Sequence, residues 1–206
     1  MRFTREDIDA GEIARRAALY GPLTEAVREL VDATIRTEVD DATIRDVAAI
    51  VRAATLRLRE RQIDGAFGVR FTDHGTAMPW GNAVIGLRNA LAPPLTIERN
   101  TDGLHWSEFT LGAAYEGPPG HVHGGVCALV LDQLCGVTAA SNDKPNFTGT
   151  LALRYRRGTP LGPLRAEACV DRVEGVKTFV VGMLSDAGGV TVEAEGVFVT
   201  PAWARD

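Results

Sequence analysis

Long apolar runs, a secretory leader pattern and an excess of basic residues are all missing from this 206-residue sequence. No apolar stretch approaches the roughly 18 residues that a membrane-spanning helix needs. The opening residues, MRFTREDIDAGEI, carry acidic side chains where a signal peptide would have its apolar centre. The net charge of −5 disfavours nucleic acid or an anionic membrane as the main partner. The sequence therefore predicts a cytoplasmic protein.

Cysteine is scarce and histidine lacks metal-site spacing. The three cysteines, Cys127, Cys135 and Cys169, form no C-x-x-C pair, and no two of the four histidines stand at H-x₃₋₅-H spacing. We interpret the cysteines as small buried hydrophobic side chains in a reducing compartment. We expect no metal site and no cofactor.

The N-terminal region has the pattern of helices. Apolar residues in LTEAVRELVDATIRTEV recur every three or four positions, which predicts an amphipathic helix that starts at Thr24 or at the preceding Gly-Pro pair. A second helix is predicted in DDATIRDVAAIVRAATLRLRERQ, with Asp40 or Asp41 as its N-cap. The two helices are candidates for a helical hairpin. Their nearly balanced charge favours a structural arm over a DNA-binding helix pair.

The whole chain then divides into three regions. Residues 1–66 are predicted to form a helical N-terminal extension, 67–92 an irregular connection with a short strand in GVRFT, and 93–206 a strand-rich domain. In that domain LTIERN and LHWSEFTLG indicate a hairpin, a helix follows over 124–140, and four further strand patterns indicate an antiparallel meander. One long helix against one antiparallel sheet is an α+β layout.

The helix begins in GPPGHVHGGVCALVLDQL and carries an unexpected carboxylate, Asp132. Free backbone N–H groups at a helix start favour a negative oxygen, and glycine lets a ligand approach them closely. The pair Gly124–Gly125 therefore predicts an oxyanion hole, with a simple loop-to-helix turn as the alternative. At helical spacing Asp132 faces a stripe of small residues, and we expect an apolar face opposite to meet the sheet. The small residues are Gly125, Ala128, Cys135, Gly136 and Ala139. The apolar face is Val126, Val130, Leu134 and Val137.

Helix geometry separates the two candidate groups. Gly124 and Asp132 are eight positions apart in the sequence, so they stand about 12 Å apart along the helix axis. A base and an oxyanion donor that serve one carbonyl must each lie about 3 Å from the reacting atoms. If both groups are catalytic, two copies of the helix must lie antiparallel, which predicts a two-fold dimer with two sites.

These residues resemble a known family. GPPGHVHGGVCALVLDQLCG, TGTLALRYRRGTPLG and VDRVEGVKTFVVGML are similar to segments of the hotdog-fold acyl-CoA thioesterases, PaaI-like and in particular of the THEM4/THEM5-like branch. The resemblance covers residues 93–200. It implies a hotdog fold, a curved antiparallel sheet around one central helix, assembled as a homodimer or a dimer of dimers. It also implies hydrolysis of an acyl-CoA substrate and a role in lipid metabolism.

The resemblance also implies roles for four residues. Gly124 would polarise the thioester carbonyl through its N–H, and His123 would shape that turn. Asp132 of the partner subunit would act as general base or nucleophile, with Thr148 beside it to position water. Many PaaI-like enzymes carry Asn where this chain has Gly117, so an Asn-assisted water is not expected.

Five cations on or next to the strands after the helix are candidates for binding the CoA phosphates. The alternative is that they are surface residues on solvated strand faces. These cations are Arg154, Arg156, Arg157, Arg172 and Lys177. Gly125 is a further candidate for substrate binding, at the thioester.

Two other functions were weighed against hydrolysis. One is a non-catalytic acyl-CoA-binding hotdog protein with a regulatory helical arm, which would not need a carboxylate beside the thioester. The other is a hotdog dehydratase or hydratase that would use His121 as part of an acid/base pair. The set of Gly124, Asp132 and Thr148 favours hydrolysis over both.

Overall fold

The computed structural model describes residues 4–140 and 145–205 and divides the chain into two compact units, 1–90 and 91–206. The first unit contains two long helices and a small sheet. The second contains one helix and a large antiparallel sheet.

Helix α1, Ala10–Arg36, begins well before the predicted start at Thr24. Its N-cap is Asp9, whose side chain accepts a hydrogen bond from the Glu12 N–H at 2.7 Å. The predicted start was wrong because the helix continues through Pro22. An interior proline removes one backbone hydrogen bond and costs about 3 kcal/mol, which the aromatic contacts of Tyr20 and the burial of Thr24 on the same stretch help to offset.

Helix α2, Asp41–Arg59, is capped by Asp40 as predicted. It does not pack along α1, so the expected helical hairpin was wrong. None of its residues is buried, and Ile50 and Leu58 are exposed by 67% and 56%. The apolar periodicity was sufficient to predict the helix but not to say what it packs against.

A three-stranded sheet completes the first unit. Its strands are β1, Thr4–Glu6, β2, Arg70–Thr72, and β3, Ala77–Met78, in the order β1-β2-β3. The strand predicted in GVRFT is therefore confirmed as β2. Glu6 forms ion pairs with Arg16 of α1 and Arg70 of β2, which tie the sheet to the start of the helix.

The second unit has a six-stranded antiparallel sheet in the order β4-β5-β7-β8-β9-β6. The predicted hairpin is confirmed as β4 and β5, and the central helix as α3. The meander was wrong for one strand, because β6 pairs with β9 at the far edge instead of β7. The elements are β4 Glu98–Arg99, β5 His105–Leu111, α3 Gly124–Ala139, β6 Phe147–Tyr155, β7 Gly162–Glu174, β8 Lys177–Asp186 and β9 Gly189–Val199.

The position of β6 follows from the path of α3. The helix packs against every strand from β5 to β6 and contacts β7 and β8 most extensively. A chain that enters the helix at β5, beside β7, therefore leaves it near the opposite edge of the sheet. An antiparallel sheet around one central helix is the hotdog fold, and the fold predicted from the sequence is confirmed.

The buried face of α3 carries the core of this unit. Leu131 and Leu134 are 0% and 1% exposed and belong to one cluster with Val180 and Leu184 of β8. The buried helix residues are Cys127, Val130, Leu131, Leu134, Cys135, Thr138 and Ala139. The predicted face was therefore partly wrong. Val126 and Val137 are only half-buried, whereas Cys135 and Ala139 of the supposed small-residue stripe pack in the core.

Candidate active site

Asp132 and Thr148 are brought together by α3 and β6. The Thr148 hydroxyl donates a hydrogen bond to Asp132 Oδ1 at 2.9 Å. Asp132 is half-buried and Thr148 is exposed. One carboxylate oxygen thus has a fixed hydrogen bond, and among the described residues no group donates to the other.

A β-bulge is what turns Thr148 towards the helix. Leu151 and Leu153 of β6 pack on the core, so strict alternation would place Thr148 on the opposite face of the strand. The pairing of β6 with β9 slips between Thr148 and Thr150, which reverses the alternation. Gly149 is the extra residue, and a Cβ there would lie 3.1 Å from Val199 Cγ2 and 3.2 Å from the Val197 carbonyl oxygen. A side chain larger than hydrogen would crowd the bulge.

His123 caps the other end of α3. Its Nδ1 accepts a hydrogen bond from the Gly125 N–H at 3.0 Å. A ring nitrogen that accepts a hydrogen bond carries no proton, so this contact uses the lone pair of Nδ1. His123 is therefore the N-cap that holds the first turn of the helix.

The first N–H of the helix, that of Gly124, has no acceptor among the described residues. The His123 carbonyl oxygen accepts from Val126 N at 2.8 Å and from Cys127 N at 3.3 Å, and its imidazole takes the Gly125 N–H. Within residues 4–140 and 145–205, no group accepts a hydrogen bond from the Gly124 N–H. This donor lies at the positive end of the helix dipole, where a developing oxyanion is stabilised.

Tyr155 is a site residue that the sequence reasoning missed. Its hydroxyl donates a hydrogen bond to the Gly124 carbonyl oxygen at 2.8 Å. That carbonyl belongs to the same peptide group as the Gly125 N–H, so one chain of hydrogen bonds joins Tyr155, this peptide and His123. Burial, and then the nearby Cys127, raise the pKa of the Tyr155 phenol, so it remains a donor. The alternation of Leu151, Leu153 and Tyr155 on β6 was the available signal.

The loop before the helix explains the glycine at position 117. A Cβ on Gly117 would lie 2.7 Å from His123 Cα and 3.0 Å from its Cβ. The loop is closed by the Gly120 N–H, which donates to Glu116 Oε1 at 2.7 Å, with Gly120 at a φ of +72°. An asparagine at position 117 would therefore displace His123.

Three of the candidate CoA-binding cations lie near the β8–β9 turn. Arg157 makes a two-pronged ion pair with Asp186 and donates to the Gly189 carbonyl oxygen at 2.8 Å. Arg157 thereby lowers the pKa of Asp186 to about 2. Arg156 pairs with Glu193 at 2.6 Å. Arg154, on the exposed edge strand, is described without a hydrogen bond or ion pair.

The other two cations lie at the opposite end of the sheet. Arg172 pairs with Asp171 and Glu174 and lies 3.7 Å from the centroid of the Phe179 ring. Lys177 is the first residue of β8, whose length separates it from the β8–β9 turn by about 30 Å. Within one subunit the five candidate cations therefore do not form a single cluster.

Two of the cysteines, Cys127 and Cys135, lie on α3 close to the site residues Tyr155 and Asp132. Burial raises the pKa of Cys135 to about 12 and raises that of Cys127 as well, so neither thiol is a ready nucleophile.

Across the described residues, no group of three or more His, Cys, Asp or Glu side chains could hold a metal ion. None of the described helices is long and apolar enough to cross a membrane.

Comparison with known proteins gives one consistent family. A family model for the thioesterase superfamily matches residues 119–193, which include Gly124, Asp132 and Thr148. A solved structure of a thioesterase superfamily protein aligns with a TM-score of 0.78 and 37% identity, covering 87% of this chain and 94% of that one.

Two curated acyl-coenzyme A thioesterases are also similar to this chain. THEM4 of Xenopus laevis is 31% identical over 94 residues, which make up 44% of this chain and 42% of that protein. Human THEM5 is 30% identical over 94 residues, 44% of this chain and 38% of that protein. The chain therefore spans less than half the length of either curated relative.

Proposed function

This chain belongs to the thioesterase superfamily, and on that premise we propose that it hydrolyses the thioester of a fatty or related acyl-CoA to the free acid and CoA. One observation carries the proposal: the helix with a free N–H at Gly124 also carries the Asp132 carboxylate, held by Thr148. A thiolate is a good leaving group, so a carboxylate and an oxyanion donor suffice without a strong general acid.

The proposal requires two subunits at each site. About 12 Å along the helix axis separates Gly124 from Asp132, which is too far for one helix to serve one carbonyl. Two copies of α3 laid antiparallel would bring the N-terminus of one helix to the aspartate of the other. The described strand β6 has only one strand partner, β9, and most of its residues are exposed. That free edge is our candidate for the dimer contact.

The steps of hydrolysis then follow from the groups present. The Gly124 N–H of one subunit would bind the thioester oxygen, and Asp132 of the other would take a proton from water. The water oxygen bonds to the carbonyl carbon, and the oxyanion collapses to expel the CoA thiolate. The proton held on Asp132 returns to the thiolate. Thr148 keeps one carboxylate oxygen in place while the other faces the water.

Asp132 could instead attack the carbonyl directly, giving an acyl-enzyme anhydride that water then opens. Single-turnover hydrolysis in ¹⁸O-water identifies direct attack when water opens the anhydride at the aspartyl carbon. Direct attack, followed by water opening the anhydride at the aspartyl carbon, leaves ¹⁸O in Asp132, whereas the general-base route leaves ¹⁸O only in the released acid.

The cations divide into two classes under this proposal. Arg156, Arg157 and Arg172 have their charge neutralised by neighbouring carboxylates. Arg154 and Lys177 are exposed and have no ion pair among the described residues. We therefore favour Arg154 and Lys177 over the other three as contacts for the CoA phosphates.

The test is hydrolysis of a short-to-long acyl-CoA series, followed by released thiol. We expect turnover to peak at one chain length and to vanish in Asp132→Asn, with the fold retained. Asp102→Asn, which removes an exposed carboxylate between β4 and β5, is the matched control and should hydrolyse like wild type. Wild-type turnover in Asp132→Asn would refute the mechanism. Binding of acyl-CoA without turnover by wild type would favour the non-catalytic binding protein.

A further inference from the structure

A small pocket in the N-terminal unit is lined by an excess of arginines. Its volume is about 130 Å³, and it lies beside the first turns of α1 and the strand β2. This volume is below the roughly 300–1,000 Å³ of pockets that hold drug-sized ligands. It is nevertheless several times the roughly 30 Å³ share of one water molecule. The pocket therefore has room for a small ion. Its arginines are Arg15, Arg16, Arg70 and Arg88.

The carboxylates around this pocket do not balance its positive charge. Glu6 is the one acidic residue in the lining, and it bonds both Arg16 and Arg70. Glu12 lies next to Glu6 and accepts hydrogen bonds from Arg15 and Arg16. Four guanidinium groups thus face two carboxylates, which leaves two positive charges in excess. The hydrogen bond from Arg70 is the largest cause of the lowered pKa of Glu6, so the negative charge of that carboxylate is already paired with arginine.

Arg88 supplies a guanidinium without a carboxylate. Its Cζ lies 3.8 Å from the centroid of Tyr20 and 5.1 Å from that of Phe67. Nowhere in the described chain does an Asp or Glu pair with it. A guanidinium stacked on a ring keeps its in-plane N–H groups available, and these match two oxygens of an oxyanion.

Arg70 supplies a second donor that lacks a partner. Its guanidinium lies 4.3 Å from the Phe67 centroid and pairs with Glu6 through Nη1. Its Nε is buried and has no hydrogen-bond partner among residues 4–140 and 145–205. A buried donor left unpaired costs about 1–3 kcal/mol, and such groups in native proteins call for a water or an ion. This orphan donor is an observation independent of the charge excess.

We propose that this pocket binds a phosphate group. The excess of two positive charges matches a dianionic phosphate, and its several oxygens can accept from both Arg70 and Arg88. A carboxylate would neutralise only one of the two charges. The same chemistry is present in inorganic phosphate and in the 3′-phosphate of a nucleotide such as CoA. The inference rests on the N-terminal unit alone and does not depend on the thioesterase mechanism.

The test is calorimetric titration of the full chain with inorganic phosphate, adenosine 3′-monophosphate, adenosine and acetate. We expect both phosphates to bind at one site per chain, with adenosine and acetate at least about tenfold weaker. Arg88→Gln should lower phosphate affinity by about tenfold, the loss expected when a charge-assisted hydrogen bond is removed. Arg45→Gln is the matched control, because Arg45 is an exposed arginine of α2 outside the pocket.

Several outcomes decide the proposal. No heat with either phosphate, or equal affinity in Arg88→Gln and Arg45→Gln, would overturn it. Asp132→Asn should bind phosphate like wild type, so a failed hydrolysis mechanism would leave this result intact. A preference for adenosine 3′-monophosphate over inorganic phosphate would identify the phosphate of a nucleotide as the source. Equal binding of both would identify free phosphate.

Discussion

Helices α2 and α3 are close in length but differ in what surrounds them. Helix α2 has 19 residues, none of them buried, and α3 has 16, of which seven are buried. The first is amphipathic with an aspartate cap. The second is apolar almost all round and has a histidine cap. Helix α2 has the clearer amphipathic pattern, yet α3 contributes the core residues and the candidate site residues. The clarity of a local helix pattern therefore does not indicate which helix is buried or functional.

The largest expected difference between the two helices is in stability. Leu134→Ala on α3 should lower the free energy of unfolding by about 2–5 kcal/mol, because it opens a cavity at a residue that is 1% exposed. Leu58→Ala on α2 is the matched control and should change it by less than about 0.5 kcal/mol, since Leu58 is 56% exposed. Urea unfolding of both variants measures this. Equal losses would show that α2 is buried in solution.

The next effect concerns the Thr148 hydroxyl that donates a hydrogen bond to Asp132 on α3. Thr148→Val should lower kcat by about tenfold, because it removes the hydrogen bond that fixes the carboxylate. Thr150→Val, on the same strand beyond the bulge, should leave kcat unchanged. Steady-state kinetics with the preferred acyl-CoA gives both values. A loss in Thr150→Val equal to that in Thr148→Val would mean that the strand as a whole, and not this contact, matters.

A smaller effect is expected from the hydrogen-bond chain at the start of α3. Tyr155→Phe should lower kcat by about two- to tenfold with little change in KM, because the hydroxyl orients the peptide after Gly124. Tyr115→Phe also deletes a hydroxyl that bonds a backbone carbonyl, that of Ala92, and should leave kcat unchanged. If KM rose while kcat stayed constant in Tyr155→Phe, this residue would act in binding instead.

The smallest expected effect is a loss of stability of α2 at low pH, because its N-cap is the carboxylate of Asp40 whereas the N-cap of α3 is His123. The Thr43 N–H is the largest cause of the lowered pKa of Asp40, below its usual 3.8. The ionised cap therefore stabilises α2 fully above pH 3.8, and that stabilisation is lost as pH falls through the lowered pKa. Amide exchange of α2 between pH 5 and pH 2 should show the loss, and Asp40→Asn, which keeps an acceptor, should show less of it. The same pH dependence in both proteins would exclude Asp40 as its cause.

Local structure was predictable from the sequence because it depends on neighbours in the chain. The extent of α2, its Asp40 cap and the range of α3 followed from periodicity and end signals. The start of α1 did not, because the Gly-Pro pair was interpreted as a boundary and the helix runs through Pro22. What no local pattern contains is the strand order, since the place of β6 beside β9 is decided by the path of α3 across the sheet.

The site was predictable only in part for the same reason. The spacing of Gly124 and Asp132 along one helix was visible, and the family resemblance indicated Thr148. Alternation alone would have turned Thr148 away from the helix, because the bulge at Gly149 is set by pairing with a distant strand. The cations were grouped by their nearness in sequence, although a long strand separates them in space.

The edge position of β6 has a consequence for the order in which the chain folds. Phe147 of β6 pairs with Val199 of β9, so this contact closes a far longer loop than the hairpins β7–β8 and β8–β9. Long loops close late, because their entropy is lost before the contact is gained. The Thr148 hydroxyl can therefore reach Asp132 only after the last strand has joined the sheet. In a refolding experiment, hydrolytic activity should return after the secondary structure does, so that a partly folded chain holds its carboxylate unsupported and inactive.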